Sequence, residues 1–160
     1  MKLIKRTSFI LVILSLILSC TTNRLTGNVV KVQDGDTMNI LTNKNEKIKI
    51  RLHGIDAPET GQDFSQKSKK YLSDLVAGKN VTIVDMGKDQ YNRVLGVVYA
   101  GKLNVNEEMI RSGLAWQYKY NDDLKYLALQ EEAQRKKLNI WSMKNPVEPW
   151  LWRKNRKNKK

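Results

Sequence analysis

Three short segments hold the polar residues of this chain whose types and spacing suit chemistry. They are Asp34-Gly35-Asp36-Thr37, the run from Arg51 to Glu59, and Asp89-Gln90-Tyr91-Asn92-Arg93. Carboxylates gathered from such segments can bind a hard cation, because calcium takes oxygen ligands from Asp, Glu and backbone carbonyls. Arginines beside them suit phosphate, whose oxygens accept paired hydrogen bonds from one guanidinium fork. A cation, a carboxylate that manages water and arginines that stabilise developing charge together serve phosphodiester cleavage. Each segment alone also has a plainer reading. Asp-Gly-Asp-Thr is a common turn, Pro58-Glu59 suits a helix start, and single arginines are ordinary surface cations.

The elements that must position these residues follow from patterning. Val29–Val32 is a β-branched strand ending at Asp34-Gly35-Asp36, and Thr37–Thr42 is the returning strand. Lys47–Leu52 alternates, with Ile48, Ile50 and Leu52 on one face and Lys47, Lys49 and Arg51 on the other. Phe64, Tyr71, Leu72, Leu75 and Val76 recur at helical spacing before Gly78. Val81–Val84 is a fourth strand. Arg93–Ala100 is a fifth, apolar enough to be buried on both faces. Strand parity groups Arg93 with Leu95 and Val97. Helices follow at about Asn106–Ser112 and Asp122–Lys137, the latter with Leu124, Leu127 and Ala128 as its apolar face. Arg153–Lys160 has no apolar residue and is expected to be disordered. The fold class is α+β: a β-barrel plus helices, with a five-stranded Greek-key barrel of the oligonucleotide/oligosaccharide-binding (OB) type, a helix between strands three and four, and two C-terminal helices.

Charge and the N-terminus bound the setting. The 160 residues carry 29 Lys and Arg against 16 Asp and Glu, a net charge of +13, which favours polyanionic partners. Lys2, Lys5 and Arg6 precede the apolar run Phe9–Leu18. That run is shorter than the roughly 20 residues of a membrane span and has the anatomy of a signal peptide. It ends at Ser19-Cys20, the only cysteine. A lone cysteine forms no internal disulfide, and its setting resembles the lipobox of bacterial lipoproteins. The expected organisation is a signal peptide over 1–19, a lipidated tether over 20–26, the folded domain over 27–142 and a basic tail over 143–160. The expected location is the bacterial cell envelope or surface, as an exported lipoprotein held to the membrane through Cys20.

Taken together and in order, the blocks from about Gly27 to Trp141 resemble the staphylococcal nuclease family. The resemblance is carried by Asp34-Gly35-Asp36-Thr37, Arg51 with Ile55-Asp56-Ala57-Pro58-Glu59, Tyr91-Asn92-Arg93, Val105-Asn106-Glu107, Ser112-Gly113-Leu114-Ala115 and Lys137-Leu138-Asn139-Ile140-Trp141. It implies an OB-type barrel and calcium-dependent endonuclease cleavage of DNA and RNA at low sequence specificity, leaving 3′-phosphate and 5′-hydroxyl ends. It further implies Asp36, Asp56 and the Ala57 carbonyl as Ca2+ ligands. Glu59 would position or deprotonate water, and Arg51 and Arg93 would bind phosphate. Tyr91, Tyr118 and Tyr120 are the implied nucleotide contacts, since aromatic rings stack on any base. The chain departs from the staphylococcal member of that family at Ala57, where that enzyme has threonine, and at Gln90-Tyr91-Asn92, where it has Lys-Tyr-Gly. His53, the only histidine, has no role in the family chemistry. The four tryptophans read as packing residues.

Two other readings compete. One is a surface OB module that binds nucleic acid or another polyanion without cutting it. The other is an adhesin acting through the basic tail. The joint presence of Asp36, Arg51, Asp56, Glu59 and Arg93 favours catalysis. No obligate protein partner is implied, and a monomer is expected.

Overall fold

The computed structural model describes residues 23–158. The signal segment and Cys20 lie outside the described residues. Five long strands make the barrel: β1 (Arg24–Val32), β2 (Thr37–Leu41), β3 (Lys47–Leu52), and then β5 (Asn80–Lys88) and β6 (Val94–Ala100). The short β4 (Ile55–Asp56) follows β3. Hydrogen-bonded order runs β3-β2-β1-β5-β6, and a parallel pairing of β3 with β6 closes the ring. Closure removes the exposed sheet edges that a five-stranded open sheet would present. The expected OB-type barrel is therefore the observed one.

The barrel interior is filled by Met38, Ile40, Ile50, Leu52, Ile83 and Val98, each fully buried. Helix α1 (Ser65–Val76) lies between β4 and β5 and adds Leu72 and Val76 to the same core. The two-residue β7 (Leu103–Asn104) leads into α2 (Val105–Arg111). Asn104 caps α2: its side-chain oxygen accepts from Glu107 N, and its amide donates to Glu107 Oε1. This reciprocal cap, with Glu107 and Glu108 in the first turn, satisfies the helix's free N–H groups and its dipole. The two-residue β8 (Trp116–Gln117) pairs with β4. Helix α3 (Leu124–Arg135) is capped by Asp123, and α4 (Pro149–Lys157) closes the chain.

Four details differ from the sequence expectations. Strand pairing begins at Arg24, opposite Val84, so Arg24–Thr26 belong to the barrel rather than a tether. In β6 only Val94, Gly96 and Val98 are buried, while Leu95 and Val97 are half-buried. That strand is one-sided, so its parity does carry information. In α3 the buried face is Tyr126, Leu129 and Ala133, and Leu124 is exposed. Leu124 and Leu127 are three apart like a core pair, but the contact with α2 falls on the neighbouring stripe. Finally, Arg153–Lys157 are helical rather than disordered. Pro149 at the first helical position supplies the start that composition alone concealed.

The tryptophans do pack. Trp116 is buried, its ring centroid 4.2 Å from that of Trp141 and 6.1 Å from that of Trp150. Asn106 is the polar bolt of the fold. Its fully buried side chain accepts from Val98 N and donates to the carbonyls of His53 and Gly96. It thereby ties α2 to β6 and to the loop that leaves β3.

Candidate active site

The Asp34–Thr37 turn is pressed against the protein by a glycine. A Cβ on Gly35 would stand 1.9 Å from Ser68 Oγ and 2.7 Å from Ala57 Cβ, so no larger residue fits without movement. Asp34 Oδ1 accepts from Asp36 N at 3.0 Å and fixes the turn. Asp36 then faces inward. Its Oδ1 accepts from Thr37 Oγ1 at 3.0 Å and its Oδ2 from Ala57 N at 2.7 Å.

Arg51 is placed by register. It sits opposite Thr37 on β2 and Leu95 on β6, on the barrel's outer face. Its guanidinium reaches Asp36 Oδ2 at 3.2 Å and Asp56 Oδ1 at 2.8 Å. It also donates to the carbonyls of Leu52 and Ile55. One arginine thus holds two neighbouring carboxylates, of which Asp56 is fully buried. Burial pushes the Asp56 carboxyl above the ordinary carboxylate range, and Arg153 and Arg51 oppose that shift.

Arg93 enters from the β5–β6 turn. Asp89 accepts from the backbone N–H groups of Tyr91 and Arg93 and from Arg93 Nε at 2.7 Å. Burial raises Asp89, but these hydrogen bonds outweigh it and hold the carboxyl below its usual value. Asn92 takes φ 59, the left-handed conformation that asparagine tolerates well. The Arg93 guanidinium lies 5.5 Å from the Tyr91 ring centroid.

These parts share one open cleft of about 1470 Å³. Asp34, Asp36, Arg51, Glu59 and Arg93 line it, together with Tyr91, Tyr118 and Tyr120. Tyr91 and Tyr120 are exposed, and the rings of Tyr118 and Tyr120 meet edge-on at 5.4 Å. His53 also borders the cleft, and burial lowers its imidazole from the ordinary value, which favours the neutral form. The residues singled out in the sequence therefore converge, except that Asp56 and Ala57 lie beneath the wall rather than on it. Two participants lacked an assigned role in the sequence. Asp89, four positions before Arg93, aims that arginine. Arg153 of α4 binds Asp56 and Glu59. The signal for Arg153 was the helix start at Pro149, which puts it on the same side as Trp150, another cleft residue.

Comparison with known proteins points the same way. The family profile described as staphylococcal nuclease homologue matches residues 49–143. The chain is 50% identical over 149 residues to an "Uncharacterized endonuclease" of Haemophilus influenzae, covering 92% of this chain and 84% of that protein. It is 46% identical over 129 residues to an "Uncharacterized endonuclease" of Escherichia coli, covering 79% and 84%. It is 40% identical over 144 residues to the "Micrococcal nuclease" of Shigella flexneri, covering 82% of each.

The Asp34 carboxyl gives the site a pH signature. Burial first, and the Asp36 charge second, push it up to about 6 from 3.8. The folded protein therefore holds this proton more tightly than the unfolded chain. The resulting stability is full below pH 3.8 and is lost as pH rises through 6. Asp34→Asn keeps an acceptor for Asp36 N and removes the titration. In urea unfolding with chelator present, the variant should lose less stability than wild type between about pH 4 and about pH 6.5. The expected difference is on the order of 1 kcal/mol. Parallel pH profiles would show that Asp34 does not carry the effect.

Proposed function

The chain belongs to the staphylococcal nuclease family, and from that premise we propose that it is a calcium-dependent endonuclease hydrolysing both DNA and RNA with little sequence preference. The observation that carries this reading is the Arg51 guanidinium bound to both Asp36 and Asp56 beside a cleft that also holds Glu59 and Arg93. Buried carboxylates, arginines and exposed aromatic rings in one cleft match what a phosphodiester substrate requires.

Among the described residues, no three His, Cys, Asp or Glu side chains stand together as a ready-made metal cluster. The donor chemistry nevertheless fits a hard cation. Asp36 and Asp56 are adjacent carboxylates on one arginine, the Ala57 backbone joins them, and calcium completes its shell with water. In this reading Asp36, Asp56 and the Ala57 carbonyl hold Ca2+, which would polarise the phosphoryl group. Ala57 supplies no side-chain hydroxyl there, so its contribution is confined to the backbone. Glu59, at the cleft wall, orients water and accepts its proton. Arg51 and Arg93 bind the phosphate oxygens and stabilise the charge that develops on them. Tyr91, Tyr118 and Tyr120 offer faces to bases. Attack by water with departure of the 5′-oxygen leaves a 3′-phosphate and a 5′-hydroxyl.

The same proposal makes the chain an exported lipoprotein, anchored through Cys20 at the bacterial envelope. It is supported by the positive N-terminus, the short apolar run and the lone cysteine after Ser19. Metabolic labelling with a radiolabelled fatty acid should mark the wild type and not Cys20→Ser, and equal labelling of that variant would remove Cys20 as the lipid anchor.

Activity is tested with the full chain in detergent. Single-stranded DNA and RNA should both be degraded with calcium and left intact in excess chelator. Glu59→Gln should lower kcat by about 100-fold or more, while oligonucleotide binding changes far less. Binding without cleavage in the wild type would favour the non-catalytic module, and unchanged kcat in the variant would remove Glu59 from the reaction.

A further inference from the structure

Helix α4 is held to the rest of the protein chiefly by polar contacts. Pro149 is its only buried residue. Trp150 meets Trp116 edge-on, Gln62 Nε2 donates to the Val147 carbonyl just before the helix, and Arg156 reaches the Thr60 carbonyl at 3.5 Å. The tightest contacts belong to Arg153. Its Nη1 donates to Asp56 Oδ1 at 3.1 Å and its Nη2 to Asp56 Oδ2 at 2.7 Å, a bidentate pair. Nη1 also donates to Glu59 Oε1.

Both oxygens of Asp56 are thereby engaged, with Arg51 as a further donor to Oδ1. Asp56 does not reach the cleft wall, whereas Arg153 lines it. Arg153 consequently stands between the buried carboxylate and the cleft. A divalent cation on Asp56 would need an oxygen that Arg153 now holds, and it would face that guanidinium at contact distance, where like charges repel strongly. The two compete for the same oxygens.

The cleft also carries further positive charge. Lys154, Arg156 and Lys157 line the same cleft as Arg51 and Arg93. No acid lies on α4 to receive the guanidinium. An arginine that leaves one carboxylate fork is matched by another pair of anionic oxygens, and a phosphodiester offers one. With little apolar burial along α4, movement of the helix end sacrifices few packing contacts.

We propose that Arg153 is a third arginine of the substrate site, which holds Asp56 and Glu59 in the resting protein and moves to the substrate phosphate when Asp56 turns to a divalent cation, leaving Glu59 free for water. This rests on the nuclease reading above and extends it to α4, which becomes a basic arm along the cleft.

Calcium titration calorimetry on the detergent-solubilised full chain, without nucleic acid, tests the first half. Arg153→Gln removes the competing charge and should bind calcium about tenfold more tightly, the factor expected for losing one charge-assisted contact. With saturating calcium, its KM for a single-stranded oligonucleotide should rise. The dependence of log(1/KM) on log salt should become shallower by about 0.7, the loss of one phosphate contact on a single strand. Arg153→Lys keeps the charge without the fork and should fall between wild type and the Gln variant in both measurements, which guards against a mere folding defect. Equal or weaker calcium binding by Arg153→Gln overturns the exchange. An unchanged KM and salt slope overturns the phosphate contact. Absence of calcium heat from every protein would instead overturn the calcium reading on which the proposal rests.

Discussion

Setting two carboxylates side by side beneath a protein surface is costly unless cations and hydrogen bonds compensate them, and the geometry of this molecule follows from meeting that condition. Asp36 and Asp56 are both buried. Arg51 touches each, and it can do so because the β2–β3 register sets it opposite Thr37 while the β3–β6 pairing sets it beside Leu95. Barrel closure is therefore also the step that assembles the site. Leu52 N donates to the Asp36 carbonyl and Ala57 N to its carboxylate, so the end of β3 and the loop after β4 are locked to the same residue. Gly35 permits the turn to approach α1 closely enough for this to happen.

Much of this was legible in local pattern. The alternation of Lys47–Leu52 puts Arg51 on the face away from Ile50 and Leu52, and the structure places it there. The Asp-Gly-Asp turn is a short-range feature written in a few adjacent residues. Arg93 shows where such reading stops. Its parity with Leu95 was correct, but β6 looked apolar on both faces because half-buried Leu95 and Val97 line or flank a cleft rather than a core. Helix α3 shows the same limit. Leucines at helical spacing suggested one face, and tertiary packing selected the adjacent stripe through Tyr126 and Leu129.

The C-terminal helix is the part least accessible to sequence pattern. From Arg153 onward its residues are Arg, Lys and Asn alone, so composition argued for a solvated tail. Arg153 finds its partner 97 positions away, in a loop that chain-local reasoning cannot pair with it. A cation-rich segment docks here because the site it meets has an excess of carboxylates, and the helix starts at a proline that composition counts as a breaker. The net charge of +13 is thus not only a steering field for a polyanion. Part of it completes the electrostatics of the buried acids in the resting protein.

The central claim is that this carboxylate and arginine cluster directs water onto a phosphodiester. Fragment masses from an oligoribonucleotide digested with calcium in ¹⁸O-labelled water test it most directly. The expected products are 5′-hydroxyl termini and 3′-phosphates carrying a solvent-derived oxygen. A 5′-phosphate series, or 2′,3′-cyclic phosphates formed without solvent oxygen, would contradict it.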